Sequence, residues 1–259
     1  MIPPAIALAF CALSGLCVGS FLNVVIGRLP AGRSIARPRS SCPRCGNSIA
    51  WYDNVPVLSY LLLRARCRSC RTPISWRYPV VEILCAALFA MAYIRFGPTL
   101  QLASALVLLS MLVAISGIDL DHQIIPDLLS VPGVVLGLLM SLAPGAIGWP
   151  ASTLGVVVGA GVFLVIIAAS SLALGQAGMG GGDVKLGAML GAFLGWKLVL
   201  FSILISVLVG GLLAGGLLAT GRKGRKDPIP FGPFLALGGV LSLLWGDAAL
   251  AWYFAQFLD

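Results

Sequence analysis

Long apolar runs separated by short polar breaks dominate the chain. Candidate membrane-crossing stretches lie at 2–27, 79–96, 99–118, 128–143, 151–174, 197–220 and 231–247, most of them near the roughly 20 residues needed to cross about 30 Å of hydrocarbon. An eighth run, 184–194, is apolar but too short to cross upright. One polar excursion, 29–78, stands out between the first and second runs. The pattern predicts an all-α polytopic membrane protein of about eight segments. It also suggests a division at residue 98: 1–98 holds two segments and the excursion, and 99–259 holds the other six.

Composition supports the membrane reading. The 259 residues are 59% hydrophobic and only 10% charged, with a mean hydropathy of +1.02, outside the range of soluble globular domains. The formal charge of +8 does not point to nucleic acid, because of where it sits. Ten Lys/Arg run from Arg28 to Arg77, and four more form "RKGRK" at 222–226. Basic loops stay on the cytoplasmic side, so 29–78, 175–183 and 222–226 are expected there, with both termini outside. That parity needs eight crossings, so 184–194 has to reach the far side. The first run has no basic leader region or convincing cleavage site, and reads as a retained anchor.

The excursion carries "CPRCG" at 42–46 and "CRSC" at 67–70, two C-x2-C pairs with 21 residues between them. Two such knuckles can give four thiolates to one tetrahedral Zn(II). With all four ligands cysteine the role would be structural, and no His is present in the loop. A metal-free reduced loop and a redox pair are the competing readings. Arg44, Arg66, Arg68 and Arg71 are close enough in sequence to offset the thiolate charge.

Carboxylates in or beside membrane segments are costly and usually functional. Glu82 falls in the second run, Asp119 ends the third, and Asp183 opens 184–194 behind Gly180, Gly181 and Gly182. The glycines are expected to form an irregular loop with access to positive φ, dipping into a water-accessible cleft and letting another backbone pass. Two carboxylates at such a cleft can work as base and acid on an amide. Helix-terminal roles, with Asp183 as an N-cap, read equally well from the residues alone. Asp121 lies about 200° around a helix from Asp119 and is expected to face away. Lys185 is expected to orient the site, or else to be an ordinary snorkelling lysine. Gly187, Gly191 and Gly195 at four-residue steps read as a helix-packing face.

Taken together, "GSFLNVVIGRLP", the two cysteine pairs, "WYDNVPVLSYLLLRARCRSC", "RYPVVEI", "IDLDHQIIPD", "GMGGGDVKLGAMLGA" and "PIPFGPFLALGG" resemble the bacterial type IV prepilin peptidases, GxGD intramembrane aspartyl proteases. The resemblance covers nearly the whole chain. It implies Asp119 and Asp183 as the catalytic pair and makes 99–259 the peptidase domain; Gly180, Gly181, Gly182 and Lys185 are then expected along the substrate's approach. It implies cleavage of the short basic leaders of type IV prepilins or type II secretion pseudopilins, at the cytoplasmic face of the bacterial inner membrane. In members with the cysteine loop it also implies S-adenosylmethionine-dependent methylation of the new amino terminus. No glycine-rich strand turn of a soluble methyltransferase is present, so the methyl donor's site is not readable by motif. The expected partners are these substrates and membrane lipid. A carrier using buried aspartates at broken helices is the competing function; such carriers show matching interruptions in two halves, and this chain has a single glycine break.

Overall fold

The computed structural model describes residues 3–175, 179–221 and 229–257. Among the described residues it is helical, without strands beyond two isolated bridges. Six helices are long and apolar enough to cross a membrane: α1 (Pro4–Arg28), α3 (Arg77–Phe96), α4 (Leu100–His122), α6 (Trp149–Leu174), α7 (Gly181–Ala219) and α8 (Gly232–Phe257). Between α1 and α3 lie a 3-10 turn, Trp51–Asn54, and the one-turn α2 (Leu58–Leu62). The apolar α5 (Asp127–Met140) is shorter, and carries Pro132 inside it. The chain is a multi-pass membrane protein. It divides into two compact units, Met1–Pro98 and Thr99–Asp259.

In the first unit α1 and α3 pack closely as an antiparallel pair. Contacts step down α3 as they climb α1: Gly15 meets Cys85 and Ala86, Gly19 meets Val81 and Glu82, and Asn23 Nδ2 donates to the Tyr78 carbonyl at 3.1 Å. A methyl group on Gly15 would stand 2.7 Å from the Ala86 Cα. Burying apolar surface gains little where lipid is equally apolar, so membrane helices associate through such small-residue contacts.

The second unit is built around the start of α7. Residues 186–195 are buried without a break, with Leu186, Met189 and Leu190 packed against Leu108, Leu112, Ile115, Phe163 and Leu235. A helix that is apolar on every face and this short survives because other helices, not lipid, surround it. Gly155 and Gly159 of α6 lie against the Gly191 and Gly187 carbonyls, and Ser152 Oγ donates to the Ala192 carbonyl at 2.6 Å. The expected glycine face is therefore real at Gly187 and Gly191.

Gly195 does something else. Its φ of 75° and ψ of 173° break α7 into rods 181–194 and 196–219. Added Cβ atoms show the consequence: one on Gly159 would touch Gly187 on the first rod and Val199 on the second, 3.2 Å away. Both rods thus lie beside the same point of α6, and the chain doubles back at Gly195. Counted this way, the rods and the remaining long and short apolar helices make eight segments. The loops at 176–178 and 222–228, on which part of the topology reading rests, lie outside the described residues.

Candidate aspartyl site and four-cysteine centre

Asp119 occupies the last turn of α4, which ends where Gln123 adopts the left-handed conformation (φ 54°, ψ 39°) and returns its amide to the Asp119 carbonyl at 2.9 Å. Its side chain points into the bundle and is 5% exposed. Asp121, two residues on, is exposed, as the helical turn requires. The Asp119 Oδ2 accepts the Gly232 amide at 2.8 Å, at the first residue of α8. Helix N-termini present unpaired amides and the positive end of the dipole, so α8 supplies a partner that no neighbouring side chain needs to provide. A Cβ at Gly232 would lie 2.7 Å from the same oxygen.

Asp183 is the third residue of α7 and 9% exposed, and the rod that carries it packs against α4 through Leu186, Met189 and Leu190 on Leu112 and Ile115. The glycines before it differ from expectation. Gly180 is the N-cap, with φ −81° and ψ 152°, and Gly181 and Gly182 already lie in the helix. None of the three has positive φ, and the N-cap position belongs to Gly180, not Asp183. Their small size matters for space instead. A Cβ at Gly182 would stand 3.0 Å from Ile125, whereas one at Gly181 would meet nothing within 4 Å. The backbone leading to Asp183 is thus bare on one side and tightly packed on the other.

Lys185 Nζ pairs with Asp127 Oδ1 at 2.5 Å, tying the first turn of α7 to the first residue of α5. Sequence reasoning gave Asp127 no role and read no chemistry in the "PIPFGPF" stretch. The only available signal for Gly232 was a glycine beside a proline ahead of an apolar run, a common helix start.

In the first unit the four sulfurs of Cys42, Cys45, Cys67 and Cys70 all lie within 4.8 Å of one another. The two knuckles repeat each other's geometry. In one, the Gly46 amide donates to the Cys42 carbonyl and the Cys42 amide to Asn47; in the other, the Arg71 amide donates to Cys67 and the Cys67 amide to Thr72. Gly46 and Arg71 hold the equivalent left-handed positions, at φ 72° and 57°. Cross-links join the knuckles: Asn47 Nδ2 donates to Ser69 Oγ at 2.9 Å, and Arg44 Nη1 to Thr72 Oγ1 at 3.2 Å. Arg68 forms a bidentate pair with Asp53 at 2.6 and 2.7 Å, holding that carboxyl below its usual range and tying the second knuckle to the 3-10 turn.

This donor set fits a metal ion. Cys42 and Cys70 Sγ are 3.7 Å apart, close to the edge of about 3.8 Å expected of a tetrahedron with metal–sulfur bonds of about 2.3 Å. The Cys45 and Arg44 amides favour the Cys42 thiolate, and the Thr72 hydroxyl and amide bring Cys70 down to about 6. Cys45 is the counter-example: the Asn47 amide favours its thiolate, yet desolvation and the neighbouring sulfurs push it up to about 11. Four sulfurs this close ionise together cheaply only around a cation.

Comparison with known proteins gives concordant results. Residues 13–96 match the bacterial peptidase A24 N-terminal domain, and residues 106–215 match the type IV leader peptidase family. A prepilin leader peptidase/N-methyltransferase of Myxococcus xanthus is 48% identical over 220 residues, which are 84% of this chain and 65% of that protein, just under two thirds of its length. Proteins of the same name from Aeromonas hydrophila and Pseudomonas aeruginosa are each 40% identical, over 95% and 91% of this chain and 93% and 89% of theirs. No solved structure matches the chain.

Proposed function

The chain belongs to the type IV leader peptidase family, and from that premise we propose that it removes the leader of prepilins or type II secretion pseudopilins and methylates the amino terminus so exposed. The observation that carries the peptidase half is that Asp119 and Asp183 are both buried, at the end of α4 and the start of α7, two helices that pack in one core, with uncrowded glycine backbone beside Asp183. One carboxylate takes a proton from water as its oxygen bonds to the scissile carbonyl carbon. The other gives a proton to the departing nitrogen as the C–N bond breaks, and the pair is restored with one shared proton. The oxygen of Asp119 held by the Gly232 amide serves as an acceptor throughout, which leaves the proton to the pair's other oxygens.

The substrate's extended junction runs along Gly180 and Gly181, where an added Cβ would meet nothing nearer than 4.0 Å. Lys185, through Asp127, holds the start of α7 in register with α5. The site faces the cytoplasm of a bacterial inner membrane, the side on which basic loops are retained. A carrier function has no support from the three relatives, all named as peptidases.

Cys42, Cys45, Cys67 and Cys70 hold Zn(II) as thiolates, a closed shell that braces the loop and leaves no open position for catalysis. S-adenosylmethionine supplies the methyl group for the second activity. Incubating the detergent-solubilised protein with a prepilin, with and without this donor, tests both halves by product mass. Loss of the leader alone without donor, and a further gain of one methyl with it, is the expected result. Intact substrate under both conditions refutes the proposal.

A further inference from the structure

We infer that the segment from Trp51 to Leu63, within the polar excursion of the first unit, is seated among the phospholipids of the leaflet in which α1 ends at Arg28 and α3 begins at Arg77. The seat is independent of the chemistry proposed above. Helix α3 sets the depth scale. Its 20 residues span about 30 Å, the thickness of the hydrocarbon, with Arg77 at one end, Arg95 in the last turn and the exposed Trp76 as N-cap. Arginine and tryptophan at helix ends mark the membrane boundary, so Glu82, five residues in, lies about 7 Å below it. Val57 comes down to meet Glu82, its amide donating to Oε2 at 2.7 Å. A buried carboxylate at that depth needs partners, and the Val57 amide and Ser20 of α1 supply them. Val57 itself has φ 59° and ψ −48°, with the Leu58 amide turned back to the Pro56 carbonyl. Such a γ-turn is rare, above all at a β-branched residue, and persists only where the surroundings impose it. The contact that imposes it here draws the chain inward.

The helix that follows is inside out. In α2, Ser59 is buried and donates to the Tyr52 carbonyl at 2.9 Å, whereas Leu58, Leu61 and Leu62 are 52%, 65% and 73% exposed. A helical turn facing water places leucine and serine the other way round. Trp51, at the head of the segment, is 82% exposed. Because the excursion is tied at both ends to spanning helices, the nearest apolar phase that can cover these side chains is the bilayer. Short apolar faces of this kind lie about 5–10 Å into the boundary of headgroups and acyl chains, the depth at which Glu82 holds Val57.

A hollow beside α1 gives a second, independent measure of that depth. About 450 Å³ in volume, it has Cys17, Phe21 and Val24 of α1 on one side and Ile49, Trp51 and Pro56 on the other. Asn23 is level with Tyr78 through their 3.1 Å hydrogen bond, so Cys17, six residues further in, lies about 9 Å below the boundary. The segment thus flanks α1 at hydrocarbon depth, and the apolar space between them suits an acyl chain. Arg39 also borders the hollow and is exposed, placed for the phosphate of the same lipid. From Arg28 to Arg77 ten Lys/Arg stand against one acidic residue, Asp53, a balance that suits the headgroup level of a bilayer.

Labelling from within the lipid tests the seat without relying on turnover. The full-length protein is reconstituted in phosphatidylcholine vesicles containing some phosphatidylcholine with a diazirine in its acyl chain, irradiated, and mapped by peptide mass. Peptides covering 51–63 should be labelled within about threefold of those covering α1, and at least about tenfold above those covering 42–48 and 67–73, as expected of side chains that reach the acyl region. Labelling of 51–63 no higher than that of the cysteine knuckles overturns the seat. A photoreactive phenylalanine in place of Leu62 should gain the mass of a phospholipid. Capture of another protein there instead overturns the lipid as occupant. Glu82→Ala should lower labelling of 51–63 several-fold, whereas Glu82→Gln, which keeps an acceptor for the Val57 amide, should stay near the parent. Thermal unfolding shows whether each variant is folded, and parental labelling in folded Glu82→Ala removes Glu82 as the tether.

Discussion

The amide of Gly232 donates to Oδ2 of Asp119 across 2.8 Å, joining two residues 113 positions apart in the chain. The contact needs glycine, because a Cβ would stand 2.7 Å from the oxygen it serves. Gly232→Ala is therefore expected to keep the helices but to push the carboxylate aside. A displacement of about 1 Å at a reacting group costs on the order of 100-fold, and kcat for leader cleavage should fall by roughly that factor with little change in thermal unfolding. Parental kcat in this variant would remove the α8 amide from the mechanism.

The doubled-back α7 leans on α6 through glycines with no room to spare. Gly191→Val puts two methyl groups where the Gly155 carbonyl lies, and overpacking of this kind costs about 1–3 kcal/mol or more. A lower unfolding midpoint in mild detergent is expected. Gly161→Val provides the contrast, since a Cβ there would meet nothing within 4 Å.

Lys185 and Asp127 are both substantially exposed, so their ion pair should contribute no more than about 1 kcal/mol to stability. Its value is in register. Lys185→Glu and Asp127→Lys should each slow cleavage several-fold, and the double exchange should recover part of the loss, read as a double-mutant cycle on kcat/KM. Losses that simply add would show that the two residues act separately.

For the cysteine centre the expected content is one zinc per chain. Cys42→Ser with Cys67→Ser should abolish it and open the loop between residues 30 and 76 to limited proteolysis, since the knuckles have little apolar core to hold them without the metal. Metal-free parent protein with an equally protected loop would contradict this.

Much of this protein is legible in its sequence, and each exception has its own physical cause. Apolar runs are long because of the bilayer, so helices α1, α3, α4 and α6 stand out within about four residues of their ends, whereas α8 continues from the expected end at 247 to Phe257. Cys42, Cys45, Cys67 and Cys70 announce themselves by spacing, and the structure brings their sulfurs together. What hydropathy does not separate is lipid-facing from protein-facing surface: 186–195 is buried all round, yet reads like any other apolar run. The glycines at 180–182 suggested an irregular loop, but two of them begin α7, because what the site requires there is space rather than positive φ. The Gly232 amide was invisible for a simpler reason, since a backbone donor leaves no chemical mark in a sequence.

The central claim is that Asp119 and Asp183 act as a pair. The direct measurement is single-turnover cleavage of a prepilin, followed by product mass, in Asp119→Asn, Asp183→Asn and Asp121→Asn proteins shown to be folded by thermal unfolding. Both buried variants are expected to lose cleavage by at least about 1,000-fold, the order seen when members of a cooperating catalytic group are removed. The exposed Asp121 variant should lose far less. Near-parental cleavage by a folded Asp119→Asn or Asp183→Asn protein would contradict the aspartyl mechanism.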